Sequence, residues 1–210
     1  MKHLAVLVRD LFAPSRAWDA VDYLALDLET GGVDARRDPL IAVGVVPIRG
    51  GVIRVGEASA SLVQPTAPIQ PASMRAHQLV PRDLAAAPAV TEVAIDLARR
   101  MAGAVLILHH APLDLAFLRA AFATAGLAWP HPRVVDTVDL LLRLERRRRF
   151  LPAAAPLPLA LGAARAALGL PPHDAHDALS DALATAELFL VLRHRLDART
   201  VRSLIRWRRG

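Results

Sequence analysis

The sequence predicts an α/β domain built on a mixed sheet, and three observations carry that expectation. Extended apolar segments come first, at Tyr23 to Glu29, Pro39 to Ile48 and Val52 to Gln64. The second and third are joined by Arg49-Gly50-Gly51, a hairpin signal that makes them antiparallel. Beyond residue 90, short apolar strands alternate with stretches of helical period, an order that sets strands between covering helices.

Taken in order, residues 1–21 include Pro14, lack a clear period and stand apart as an N-terminal arm. Residues 22–196 form the predicted domain. After the three opening strands, the Pro-rich stretch from Pro65 to Pro71 is an irregular connection. Val93, Leu97 and Met101 fall on one helical face, so Val90 to Met101 is a surface helix. Ala104 to Leu108 is a buried strand. Pro112 to Ala125 is a helix with proline near its start and Gly126 just past its end. Arg133 to Asp136 is another short strand, Leu157 to Leu168 a helix stopped by Gly169, and Asp177 to Leu196 a longer helix. Two basic segments stand outside this order. The stretch from Glu145 to Pro158, with Arg146 to Arg149, reads as a mobile loop, and residues 197–210 as a basic tail holding Arg199, Arg202, Arg206, Arg208 and Arg209 around Trp207. A solvated charged face and direct phosphate contact are both open for them.

The 210 residues suit one domain with short extensions. Hydrophobic residues make up 54% but aromatics only 4%, so Leu, Ala and Val fill the core and base-stacking platforms are scarce. Lys and Arg number 26 against 20 Asp and Glu, a net charge of +6 that favours polyanionic partners. The absence of cysteine excludes disulfides, thiolate nucleophiles and cysteine-ligated zinc, so any metal must sit on oxygen or imidazole. No apolar run reaches the roughly 18 residues of a membrane span, and Leu4 to Val8 is too short for a signal-peptide core; the expectation is a cytoplasmic chain with no membrane contact.

Residues two apart in a strand share a face, so Asp27 and Glu29 project together while Leu26 and Leu28 point the other way. Two rises of ~3.3 Å put their Cα atoms ~6.6 Å apart. Carboxylates so spaced can embrace two cations ~3.5 to 4 Å apart, the separation used in phosphoryl transfer. An edge strand with one wet face also explains the pair, and on the spacing alone it is the commoner reason for it. Thr30-Gly31-Gly32 adds a tight turn that exposes the strand end. Asp114, in a first helical turn, reads either as a helix cap or as a carboxylate facing the sheet end. Asp181 and His176 have bland readings of their own, as a solvent-facing acid and a capping residue.

Three segments together resemble the DEDD 3′→5′ exonucleases, in the subfamily whose third motif carries histidine; it includes the proofreading epsilon subunit of bacterial DNA polymerase III, ribonuclease T and oligoribonuclease. They are Asp27-Leu28-Glu29-Thr30-Gly31-Gly32, then His109-His110-Ala111-Pro112-Leu113-Asp114, then His176-Asp177-Ala178-Leu179-Ser180-Asp181. The resemblance spans roughly Tyr23 to Arg195. It implies a ribonuclease H-like fold and a two-metal phosphodiester hydrolase that releases nucleoside monophosphates from DNA 3′ ends. Asp27, Glu29, Asp114 and Asp181 would hold two Mg²⁺ or Mn²⁺ ions, with Asp27 bridging. His176 would be the general base, an imidazole whose ordinary pKa of about 6.5 allows proton uptake at neutral pH. Leu28, Thr30, Gly31, His77 and His110 correspond to contacts with the terminal nucleotide. The chain departs from the family at Gly31, where a second Thr is usual, at His110 and Leu113, where Asn and Phe are usual, and at Gln78, where Gly follows the His. These positions bear on substrate preference and rate. RNA trimming is the alternative activity, and a polymerase-associated accessory role the alternative of another class. The expected partners are nucleic-acid 3′ ends, with a DNA polymerase and a homo-oligomer as further candidates.

Overall fold

A computed structural model describes residues 16–148 and 155–205. Arg149, Arg206, Trp207, Arg208, Arg209 and most of the N-terminal arm lie outside the described residues. In chain order the elements are β1 (Tyr23–Thr30), β2 (Leu40–Arg49), β3 (Val52–Ile53), β4 (Ser59–Leu62), α1 (Pro71–His77), α2 (Pro81–Leu84), α3 (Val90–Met101), β5 (Val105–Leu108), α4 (Ala111–Thr124), β6 (Val134–Asp136), α5 (Thr137–Arg148), α6 (Leu161–Ala167), α7 (Ala178–Arg195) and α8 (Val201–Leu204). The sheet runs β3-β2-β1-β5-β6, and β4 also pairs with β2. Strand β1 is antiparallel to β2 and parallel to β5, so it lies at the centre, where the two halves of the mixed sheet meet. Among the described residues, no helix is long and apolar enough to cross a membrane.

Both faces of the sheet are covered, and strand alternation assigns the residues to them. Tyr23 and Ala25 of β1 pack with Val105, Ile107 and Val135 against Leu140 and Leu144 of α5 and Phe189 and Leu192 of α7. Leu24, Leu26 and Leu28 face the other way, onto Val93 and Leu97 of α3 and Phe117, Leu118 and Phe122 of α4. Asp27 and Glu29 therefore continue the face that carries α7.

The structure differs from the sequence reading in four places. The segment from Val52 to Gln64 is two strands split by a 3₁₀ turn at Val55–Glu57, where Gly56 interrupts the run of strand formers. The connection from Pro65 is irregular up to Pro71, as expected, and the unassigned stretch beyond it holds helices α1 and α2, each with proline in its first turn, where the missing N–H costs nothing. Helix α5 was hidden by its charge: Leu140, Leu141 and Leu144 form a buried stripe, while Glu145 to Arg148 end a helix rather than belong to a loop. Arg143 donates to the Ser203 carbonyl (2.6 Å) and Arg147 to the Leu196 carbonyl (2.6 Å), which ties this end to the chain after α7. Finally, α6 begins at Leu161 instead of Leu157, because Leu157 precedes Pro158 and a residue before proline avoids the helical region. After Leu196 the chain enters α8, whose Val201 and Leu204 are buried in the α7-side core.

Candidate active site

Asp27, Glu29, Asp114, His176 and Asp181 come from three elements and one loop, and the fold gathers them at the carboxyl end of β1. Asp27 pairs in register with Gly44 of β2. A Cβ on Gly44 would collide with the Ala178 carbonyl oxygen and come within 2.6 Å of the Leu179 nitrogen. The bare glycine thus lets the first turn of α7 lie directly on the sheet beside Asp27, which brings Asp181 to the strand's two acids. Asp177 caps this helix by accepting from the Ser180 N–H (2.8 Å).

The loop before α7 closes onto Asp181. The His176 backbone N–H donates to Asp181 Oδ2 (2.8 Å), and His176 holds a left-handed φ of 65°, a conformation that costs a non-glycine residue about 1 to 2 kcal/mol. His173 Nε2 stands 2.8 Å from Asp181 Oδ1. One ligand atom from each of Glu29, His176 and Asp181 lies within 4.8 Å of the others. Glu29 and Asp181 are buried, whereas the His176 ring is exposed to solvent.

Asp114 enters from α4. That helix starts at His110, which also takes a left-handed φ of 67°, and its first N–H groups are held by a residue the sequence reading did not single out. Asp136, 3% exposed, accepts from the His110 N–H (3.1 Å) and the Val138 N–H (3.0 Å) through Oδ1 and from the Ala111 N–H (3.1 Å) through Oδ2. An acid ending one strand thereby fixes the helix that follows the neighbouring strand. Its sequence signal was an aspartate closing Val134-Val135-Asp136. His173 gave no comparable signal.

The electrostatics describe a site short of positive charge. Burial first, and then the charges of Asp114, Asp181, Glu29 and Asp177, push the Asp27 carboxyl well above the usual carboxylate range. Asp114 is pushed up by burial and by Asp136. Glu29 is pushed up to about 7 by burial, Asp181 and Asp177. Carboxylates that resist joint ionisation, together with an imidazole, are a donor set suited to hard divalent cations.

The remaining predicted contacts divide by place. His77, at the end of α1, is buried; its Nδ1 accepts from the Leu79 N–H (3.1 Å), its Nε2 has no partner, and burial with the nearby His176 pushes its pKa down. Thr30 donates to the Gly32 carbonyl (2.7 Å). A Cβ on Gly31 would press to 2.6 Å from the Pro39 ring, which explains why no second Thr stands there. The Leu28 side chain packs in the opposite core with Leu26, so its backbone alone is on the Asp27 side. The His110 ring is exposed.

Residues 24–189 match the family model for the RNase T-type exonuclease domain. The chain is 35% identical over 182 residues to a DNA polymerase III subunit epsilon-like protein of Rhodobacter capsulatus, covering 86% of this chain and 25% of that protein. It is 28% identical over 173 residues to the DNA polymerase III subunit epsilon of Treponema pallidum, covering 82% of this chain and 76% of that one. Among solved structures, the zinc-bound form of E. coli exonuclease I with single-stranded DNA superposes with a TM-score of 0.74 at 18% identity, over 84% of this chain and 41% of that one. The shared fold is ribonuclease H-like.

Proposed function

The chain belongs to the RNase T-type exonuclease family, and on that premise we propose that it is a metal-dependent 3′→5′ exonuclease acting on DNA ends, with residues 22–196 as its catalytic domain. One observation carries the reading: Asp27, Glu29, Asp114 and Asp181 converge so closely that burial and mutual repulsion raise three of their carboxyl pKa values, beside an exposed imidazole. Two Mg²⁺ or Mn²⁺ ions fit this need. Asp27, Glu29 and Asp181 would hold the one nearer His176, and Asp27 with Asp114 the other. When bound, they supply an acidified water and neutralise charge on the phosphate and the departing oxygen.

The chain's own groups have separate tasks. His176, its ring open to solvent and its backbone tied to Asp181, takes the proton from the attacking water. The water oxygen bonds to phosphorus as the P–O3′ bond breaks and the departing O3′ takes a proton from solvent, which frees a nucleoside 5′-monophosphate and leaves a 3′ hydroxyl on the shortened strand. His77, His110, Thr30 and the backbone of Leu28 and Gly31 orient the terminal nucleotide. The polymerase subunits among the relatives support a DNA polymerase as a candidate partner.

The test incubates the protein with 5′-labelled DNA and RNA strands in Mg²⁺, Mn²⁺ or EDTA, beside an Asp27→Ala variant. Stepwise shortening from the 3′ end of DNA is expected with either metal and absent in EDTA and in the variant. Intact DNA in both metals overturns the reading, and shortening of RNA alone transfers it to RNA ends.

A further inference from the structure

Among the described residues Arg165 is the largest fully buried side chain, at 2% exposure, and it lies on α6, outside all three motifs. Its Nη2 meets Glu187 Oε2 of α7 at 2.7 Å and donates to the Pro171 carbonyl at 3.0 Å. Its Nη1 donates to the Ala184 carbonyl of α7 at 2.8 Å. Arg165 is removed from water while the Glu187 side chain stays 35% exposed, and burying a guanidinium costs free energy that an apolar side chain avoids, so stability alone is a poor reason for this arginine. What the planar fork does, and a lysine cannot, is hold three acceptors at fixed angles to one another.

Two of those acceptors belong to α7, the helix that carries Asp181; the third opens the loop that carries His173 and His176. Pro171 is followed by Pro172, and two consecutive prolines keep that stretch extended and stiff. The loop also folds back on α6, where a Cβ on Gly162 would meet the His173 ring at 3.5 Å. From there it runs two residues to His173, against Asp181, and five to His176 in its left-handed turn. A strained backbone persists only where its surroundings hold it.

We propose that Arg165, locked by Glu187, is a positioning residue that sets the Pro171–His176 loop on α7 and so places the His176 imidazole relative to Asp181. The proposal rests on the reading of His176 as the base. It predicts an effect on turnover that passes through His176: displacing a catalytic group by about 1 Å can cost on the order of a hundredfold.

The experiment compares Arg165→Lys and Pro172→Gly, each made in the natural chain and in a His176→Ala background. It measures kcat and KM for 3′-end release from a single-stranded DNA in Mn²⁺, with thermal melting as a fold control. Expected is a fall in kcat of roughly tenfold or more with KM within about twofold, shrinking to less than about twofold when His176 is already absent. An equal loss in both backgrounds, or no loss from either substitution, overturns the proposal. If Arg165→Lys does not fold, Glu187→Gln in the same two backgrounds decides in its place, because it unlocks Arg165 at a partly exposed position and leaves the fork whole. A natural chain that releases nothing, or a His176→Ala variant of full activity, instead overturns the functional reading beneath it.

Discussion

Gly44 and Ala178 touch where β2 passes under the first turn of α7, and no Cβ fits between them. Because Gly44 is also the register partner of Asp27, this one contact sets the distance between the strand acids and Asp181. Gly44→Ala should lift α7 from the sheet. Overpacking of this kind costs about 1 to 3 kcal/mol, a fall of roughly 3 to 10 °C in melting temperature. Nuclease activity should drop by more than about tenfold, from displacement of a metal-ligand carboxylate. Unchanged melting and activity would show that α7 has room to spare.

Asp27→Asn removes the charge on which the others converge. Without metal, the variant should melt several degrees higher than the natural chain, since burial and four neighbouring acids oppose ionisation there. Activity in Mg²⁺ should fall by about three orders of magnitude, corresponding to several kcal/mol of lost charge stabilisation. A lower melting temperature in EDTA would contradict the electrostatic account.

Glu29 links pH to both folding and metal binding. Its folded pKa of about 7 lies above the ordinary 4.5, so between those values the folded state binds more protons than the unfolded one. Metal-free stability should therefore be fully present below about pH 4.5 and decline as pH rises toward 7. Cation binding runs the other way, since protons compete for the same oxygen below pH 7. Calorimetric Mn²⁺ titration should show affinity weakening from pH 7.5 to 6, and Glu29→Gln should flatten that trend. An affinity independent of pH over this range would sink the prediction.

Asp136→Ala strips the acceptor from three backbone N–H groups, those of His110, Ala111 and Val138. Leaving a buried donor unpaired costs about 1 to 3 kcal/mol, which applies in full to the Ala111 N–H and in part to the half-buried other two, and the start of α4, with Asp114, loses its anchor. A loss of at least about 2 kcal/mol in urea denaturation is expected, with nuclease activity lost along with it. Full activity at natural stability would assign the Asp136 contacts no role in holding Asp114.

His110 holds a left-handed φ with an exposed ring, so structure and substrate contact separate there. His110→Gly should raise the melting temperature by about 2 to 4 °C, for roughly 1 kcal/mol of relieved strain. If the ring meets the terminal nucleotide, KM should rise at the same time. A lower melting temperature would mean that the ring supports the fold.

What the sequence by itself determined was much of what depends on local period and residue chemistry. Strand alternation put Asp27 and Glu29 on one face and Leu26 and Leu28 on the other, and the hairpin turn and the spacing of β5, α4 and β6 followed from turn residues and apolar runs. The helix at Thr137–Arg148 was lost to local reading because its arginines outweighed a buried leucine stripe, and a charge run looks the same on a helix as in a loop. Only the tertiary structure decided how close the acids come. That closeness depends on an absent side chain at Gly44 and on Asp136 reaching across from the next strand. Both are contacts between residues far apart in sequence, and such pairs leave no period for local reading to detect.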